Sequence, residues 1–305
     1  MSDNPEIIKV LRRVYVLQAL SAIVWWLLLF LSEDFYGYFA FEGVSWEQFL
    51  FFAPGDIIFL VIFPILFCFN SRPLFQKISV GGIFISTAAS LFLSLNSDSG
   101  WLGTGIMTVC LLLNIAFMLN GKMFIRRKES RNGINILKTF MQTVFVWWIS
   151  LYFLPVCILD AFPSDKSPLN FQIWHSAIYI LALLLMIGNF WSGYTMAKVG
   201  KGTPLPLDSA SVLVISGPYA YVRNPMSVTG LGLGYCEAAL FQSPALFIYV
   251  TSGLLIWNYM IRPFEEIDLK AVFGEQFEEY CRNVKCWIPR LLPYCENEGS
   301  NDVIH

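Results

Sequence analysis

Apolar runs of roughly 17 to 23 residues recur along almost the whole chain, separated by short polar stretches, and each can cross a hydrocarbon core about 30 Å thick at about 1.5 Å per residue. They predict eight membrane-spanning helices over residues 14–32, 49–69, 78–95, 101–120, 140–159, 173–196, 226–241 and 244–261. Buried helices of a soluble protein do not repeat such runs so often. The fold class is therefore all-α, a polytopic membrane helix bundle of about eight transmembrane helices, with a short seventh. Beyond the eighth run, residues 262–290 are charged yet periodic: Leu269, Phe273, Phe277, Cys281 and Val284 recur every three to four positions. That stripe predicts a C-terminal cytoplasmic amphipathic helix, interrupted at Gly274.

The connections alternate in charge. Lys9, Arg12 and Arg13 precede the first run; Arg72 and Lys77, then Lys122, Arg126, Arg127 and Lys128, then Lys198, Lys201 and Arg223 mark the even-numbered connections. The odd-numbered ones carry Glu33, Asp34, Glu42 and Glu47, then Asp98, then Asp160 and Asp165 with Lys166, and last an uncharged turn at 242–243. Every connection agrees with one orientation, which puts both termini in the cytoplasm. No cleavable signal is read at the start, so the first run is expected to stay as an anchor, with a bacterial inner membrane as the default location.

Composition agrees with this reading: 56% of the 305 residues are hydrophobic and 14% charged. Seven cysteines lie scattered without a CxxC pair, which points to neither a disulfide framework nor a metal site. The histidines are His175 and His305, too few for chemistry built on a histidine cluster. The basic stretch 121–138 divides the chain into a four-span region, 1–135, of unassigned role, a core at 136–296 and a polar tail at 297–305. An ordinary loop held against anionic headgroups is the equal alternative for that stretch.

Chemistry concentrates in the rear half. In "SGPYAYVRNPMSV", 216–228, Asn224 fits the N-cap and Pro225 the first position of a helix, with Arg223 beside its positive end, an arrangement suited to an anionic group. In "RPFEE", 262–266, Pro263 fits the first helical position and Glu265 and Glu266 the first turn. Two readings stand for these acids: they complement the helix dipole and pair with Arg223 or Arg262, or they complete a polar pocket for a zwitterion at the cytoplasmic face. Within the spans, Asp56 reads as functional or interfacial, and Glu237 and His175 as structural.

The run from "GKGTPLP" (200–206) through "GPYAYVRNPM" and "RPFEE" to "FGEQFEEYCRNVKCWIPR" resembles the isoprenylcysteine carboxyl methyltransferase and phospholipid methyltransferase superfamily, in its bacterial-type Arg-Asn-Pro variant. The resemblance spans roughly the last third of the chain and implies an integral membrane enzyme that uses S-adenosylmethionine. The family's Arg-His-Pro signature falls on Arg223, Asn224 and Pro225, its paired glutamates on Glu265 and Glu266, and its Gly-x-Gly element on Gly200 and Gly202. The implied cofactor contacts are Gly200, Gly202, Gly217, Tyr219, Tyr221, Arg223, Pro225, Glu265 and Glu266, and the implied catalytic set is Arg223, Asn224 and Glu266. Tyr219, Tyr221 and Trp287 offer aromatic faces to a sulfonium, interfacial anchoring being their other reading.

Two departures, Asn224 for histidine and Ser227 for tyrosine, bear on substrate rather than on fold or cofactor. Methyl transfer needs in-line alignment more than acid or base help, and a water-poor site favours attack by an anion on a sulfonium. An amine acceptor would need a base, for which Glu265 or Glu266 is placed. The expected acceptor is a membrane lipid or hydrophobic small molecule, with no nucleic acid involved. Two other readings remain: a sterol-reductase-like, NADPH-dependent membrane oxidoreductase, and a non-catalytic membrane transport or interaction protein.

Overall fold

A computed structural model describes residues 5–119, 132–162, 172–203 and 210–295, and among these residues the regular structure is helical, without strands. Lys122, Arg126, Arg127, Lys128, Asp165, Lys166, residues 204–206 of "GKGTPLP" and the tail 297–305 lie outside the described residues.

The principal helices are α1 (Pro5–Leu31), α2 (Trp46–Asn70), α3 (Pro73–Ser97), α4 (Trp101–Leu119), α5 (Gly133–Ala161), α6 (Trp174–Lys198), α7 (Pro225–Leu240) and α8 (Pro244–Asn283). Seven of them are long and apolar enough to cross a membrane, and the 16-residue α7 is the short one that the hydropathy pattern anticipates. The chain is thus an all-helical integral membrane bundle. One expectation is corrected. The eighth span and the charged C-terminal helix are a single element, α8, whose polar part begins at Arg262; Gly274 kinks it at φ 53°, ψ −126°, where the stripe predicts an interruption.

Three helices contain prolines that would ordinarily break them. In each, a π-helical turn stands just ahead: Ile57–Ile62 before Pro64, Ile149–Phe153 before Pro155, and Trp257–Ile261 before Pro263. Proline has no N–H to donate, and its ring crowds the carbonyl four residues back; a wider turn relieves that crowding. Phe63 and Arg262 accordingly donate five residues back, to Ile58 and Trp257. Side chains satisfy carbonyls that the prolines leave. Ser79 Oγ donates to the Phe59 carbonyl at 2.5 Å, Gln18 Nε2 to that of Leu60 at 3.3 Å, and the Tyr249 hydroxyl to that of Ser150 at 3.0 Å. In lipid such repair is what lets a proline-bearing helix continue.

The chain divides into two compact units. The first comprises Met1–Met123, Phe153–Pro163 and Leu255–Ile267. Tyr15 lies at its centre, edge-on to Phe67 at 5.3 Å and to Phe117 at 6.2 Å, with Phe264 stacked on Phe117 at 5.8 Å. Hydroxyls also cross its interior: Thr104 Oγ1 bonds Ser90 and Ser94 at 2.7 and 2.8 Å, and Gln76 donates to Tyr15 at 3.1 Å.

The second unit comprises Phe124–Tyr152, Ser164–Leu254 and Asp268–His305. Here α6 and α7 pack closely because small residues face bulky ones. A Cβ on Gly232 would come within 2.9 Å of Leu185, and one on Gly234 within 2.8 Å of Val250 of α8. Asn189 Nδ2 locks the register of α6 on α7 by donating to the Met226 carbonyl at 2.9 Å and Thr229 Oγ1 at 2.8 Å. Small faces and interhelical hydrogen bonds are what join helices in lipid, where burial of apolar surface gains nothing.

Candidate functional site

The motif region of the second unit is built by backbone packing before any side chain acts. Past the end of α6, the Gly200 carbonyl accepts from the amides of Ser211 and Val212 at 2.8 and 3.3 Å. A Cβ at Gly200 would meet the Met196 carbonyl and Val214 Cγ2, each at 2.7 Å, so only glycine fits this turn. Gly202 is buried nearby in sequence. Gly217, at φ +61°, opens a 3-10 turn, Gly217–Ala220, with Thr195 Oγ1 3.1 Å from where its side chain would be.

From there the chain runs through Tyr221, Arg223 and Asn224 into α7, whose first residue is Pro225, as read from the sequence. Asn224 occupies the N-cap position, yet its side chain makes no capping bond; its amide donates instead to Cys286 Sγ at 3.1 Å. The expected asparagine cap is thus replaced by a contact to a cysteine 62 residues on.

That contact belongs to a strap. The stretch after α8 runs back along the motif, with Arg223 N–H donating to the Lys285 carbonyl at 3.0 Å, Arg290 N–H to Tyr221 at 2.9 Å and Tyr294 N–H to Ala220 at 2.9 Å. The Tyr280 hydroxyl donates to the Tyr219 carbonyl at 2.7 Å, and burial, the largest influence, pushes that phenol upward. Arg223 Nη1 reaches Cys281 Sγ at 2.7 Å. Arg290 lies over the Tyr294 ring at 5.9 Å, and its buried Nη1 closes no hydrogen bond. Tyr219 is buried, whereas Tyr221 and Trp287 are half-exposed.

Sequence reading missed Tyr280, Cys286, Arg290 and Tyr294. It placed Cys281 in an apolar stripe only. The stripe itself was the available signal, because Phe277, Tyr280 and Val284 form a buried cluster with Leu213 and Ile215 from the stretch leading into the motif.

The glutamates belong to the first unit. No helix begins at Pro263: Arg262 N–H is bonded to Trp257 across the π-turn, so the expected second helix start, with its free amides, does not exist. Glu266 pairs with Arg262 at 3.8 Å, one of the pairings anticipated for it, and Glu265 is half-buried.

The decisive comparison falls on this stretch. Residues 176–276 match the phospholipid methyltransferase family. The match begins in α6, ends in α8 and takes in every implied cofactor contact from Gly200 to Glu266. It bears out the resemblance to the isoprenylcysteine carboxyl methyltransferase and phospholipid methyltransferase superfamily and supports a membrane methyltransferase. Neither curated proteins nor solved structures match the chain. The strapping residues Cys281, Cys286 and Arg290 fall just beyond the matched end of that stretch.

Proposed function

We propose that this protein is an S-adenosylmethionine-dependent membrane methyltransferase acting on a lipid or another small hydrophobic acceptor. The observation that carries the reading is the phospholipid methyltransferase match over the stretch that holds the ordered motifs. The residues present suit the cofactor. Two guanidiniums, Arg223 and Arg290, stand on the strapped motif, and the buried Nη1 of Arg290 has no hydrogen-bond partner. Such a donor set favours a carboxylate.

S-adenosylmethionine would supply an electrophilic methyl group on a sulfonium. In this reading Arg223, with Arg290, holds the carboxylate of its amino-acid end. Tyr221 and Trp287 offer aromatic faces to a cation. Asn224, held by Cys286, is a positioning residue that fixes the start of α7. Glu265 and Glu266 supply carboxylates for the ammonium or ribose hydroxyls, and Glu266 would take the proton if the acceptor is an amine. The Lys/Arg alternation supports both termini on the cytoplasmic side, a bacterial inner membrane being the proposed location.

The test is binding of S-adenosylmethionine to purified protein in lipid nanodiscs by calorimetry, followed by incubation of membranes with the methyl-labelled donor and identification of the labelled species. Saturable binding with a labelled lipid or small hydrophobic product is expected. Absence of binding with native lipids restored would overturn the reading.

A further inference from the structure

Beyond the end of α8 at Asn283, the second unit holds bulky apolar side chains outside any span. Ile288 is 71% exposed, Leu292 73% and Leu291 98%. The backbone that carries them is tied down. Arg290 and Tyr294 donate to the Tyr221 and Ala220 carbonyls, each at 2.9 Å, and Pro289 and Pro293 stiffen the stretch. These side chains are therefore held outward by a fixed strap rather than left over at a loose end. Exposed apolar groups gathered in this way mark a contact surface.

Their level is set by α6, a helix long and apolar enough to cross a membrane. Its last two turns present Trp191, 55% exposed, and Tyr194, 45% exposed, with Lys198 Nζ 5.4 Å from the centre of the Tyr194 ring. Exposed aromatics and a lysine at the end of a spanning helix mark the headgroup level of a bilayer. The 3-10 turn Gly217–Ala220 packs on those same turns of α6. A Cβ on Gly217 would come 3.1 Å from Thr195 Oγ1 and 3.7 Å from Trp191 Nε1. The strap is bonded to Ala220 at the end of that turn and to Tyr221 beside it, so Ile288, Leu291 and Leu292 stand next to the headgroup belt.

Charge fits the same surface. From Tyr280 to Cys295 the chain carries Arg282, Lys285 and Arg290 and no acid, whereas the polar part of α8 before it is rich in glutamate. Aliphatic, aromatic and basic side chains together make the composition of an interfacial lipid contact. We infer that residues 287–292 form an interfacial lipid wedge: Ile288, Leu291 and Leu292 enter the acyl-chain boundary of the leaflet at the end of α6, and the exposed Arg282 and Lys285 meet its phosphates. A bilayer is the occupant because the patch adjoins the exposed aromatic surface of α6 at headgroup level. The Lys285 carbonyl also accepts from Arg223 N–H at 3.0 Å, so the wedge fixes the motif against that leaflet. That a lipid acceptor is drawn from this leaflet rests in addition on the methyltransferase reading.

The test uses the full chain in nanodiscs of phosphatidylethanolamine and phosphatidylglycerol. The photo-crosslinking residue p-benzoylphenylalanine replaces Leu291, Leu292 or, for comparison, Glu275, an exposed acid on the polar part of α8. Leu291 is almost fully exposed, so its replacement leaves the fold intact. After irradiation, mass spectrometry of the peptides identifies what each position has captured. Phospholipid joined in place of Leu291 and Leu292, several-fold above the yield in place of Glu275, supports the wedge. A crosslink to a second copy of the chain, an equal yield in place of Glu275, or no phospholipid adduct overturns it. Neither cofactor nor turnover enters the measurement, so failure of the wedge and failure of the methyltransferase reading are separate outcomes.

Discussion

The guanidinium of Arg223 lies 2.7 Å from the thiol of Cys281, a residue 58 positions further along the chain. The contact ties the charge of the motif to the last helix, α8. Arg223→Ala is expected to weaken S-adenosylmethionine binding by about 10- to 100-fold, the range of a lost charge-assisted contact of about 1.5–3 kcal/mol. Calorimetry on the folded variant checks it; unchanged affinity would remove Arg223 from the cofactor site. Cys281→Ser, which keeps an acceptor, is expected to lose far less.

The hydroxyl that repairs the proline gap in α5 should show its role through coupling. Tyr249→Phe leaves the Ser150 carbonyl without its donor and is expected to cost about 0.6–1.7 kcal/mol. In a Pro155→Ala background the restored amide N–H lies within reach of that carbonyl, so the same change is expected to cost less. Equal losses in the two backgrounds, read from denaturation in detergent, would show that the bond repairs nothing.

Gly274 sits at φ 53°, ψ −126°, a conformation that side-chain-bearing residues rarely adopt, although a Cβ there would touch nothing within 4 Å. The cost of Gly274→Ala is therefore conformational only, about 1–3 kcal/mol, and should appear as a lower melting temperature. An unchanged melting temperature would mean that the kink is not held in place by the Phe277 and Tyr280 packing beyond it.

Gly234 and Gly253 form a matched pair of controls. Gly234→Leu drives a side chain into Val250 and is expected to cost about 1–3 kcal/mol through overpacking, whereas Gly253→Leu enters open space and should be nearly silent. Similar losses for both would refute the close α7 to α8 contact.

In the polar part of α8, Lys270 and Glu278 bridge the two sides of the Gly274 kink, and the lysine holds the exposed Glu278 carboxyl below its ordinary value. Because the folded-state value is the lower one, the pair's contribution is present above the ordinary glutamate range and fades as pH falls through the lowered value. Melting curves of the wild type and Glu278→Gln should therefore converge on acidification, and also at high salt, since surface pairs are screened. A difference that survives acid would exclude the ion pair as its source.

Hydropathy located the long apolar helices and the short α7, because membrane insertion depends on composition along a single segment, and the periodic stripe located the bend at Gly274. The motif was equally legible, since Gly200, Arg223, Pro225 and the glutamates are recognised by order and spacing. One proline misled. Pro263 reads as a helix start because local rules treat a missing N–H as a boundary, while the π-turn at Trp257–Ile261 carries the helix through.

Span number, helical class and the position of the methyltransferase-like motif were therefore written into the linear pattern, each resting on properties of consecutive residues. Partnerships were not. Whether Asn224 caps its helix or reaches Cys286, whether Pro64 breaks α2 or is repaired by Gln18 and Ser79, and whether Asp56 faces headgroups or a packed core depend on which distant side chains arrive in donor range. Hydrogen bonds are short and directional, so only the folded chain, by bringing residues 20 to 62 positions apart into contact, selects among the partners that local rules leave equally open.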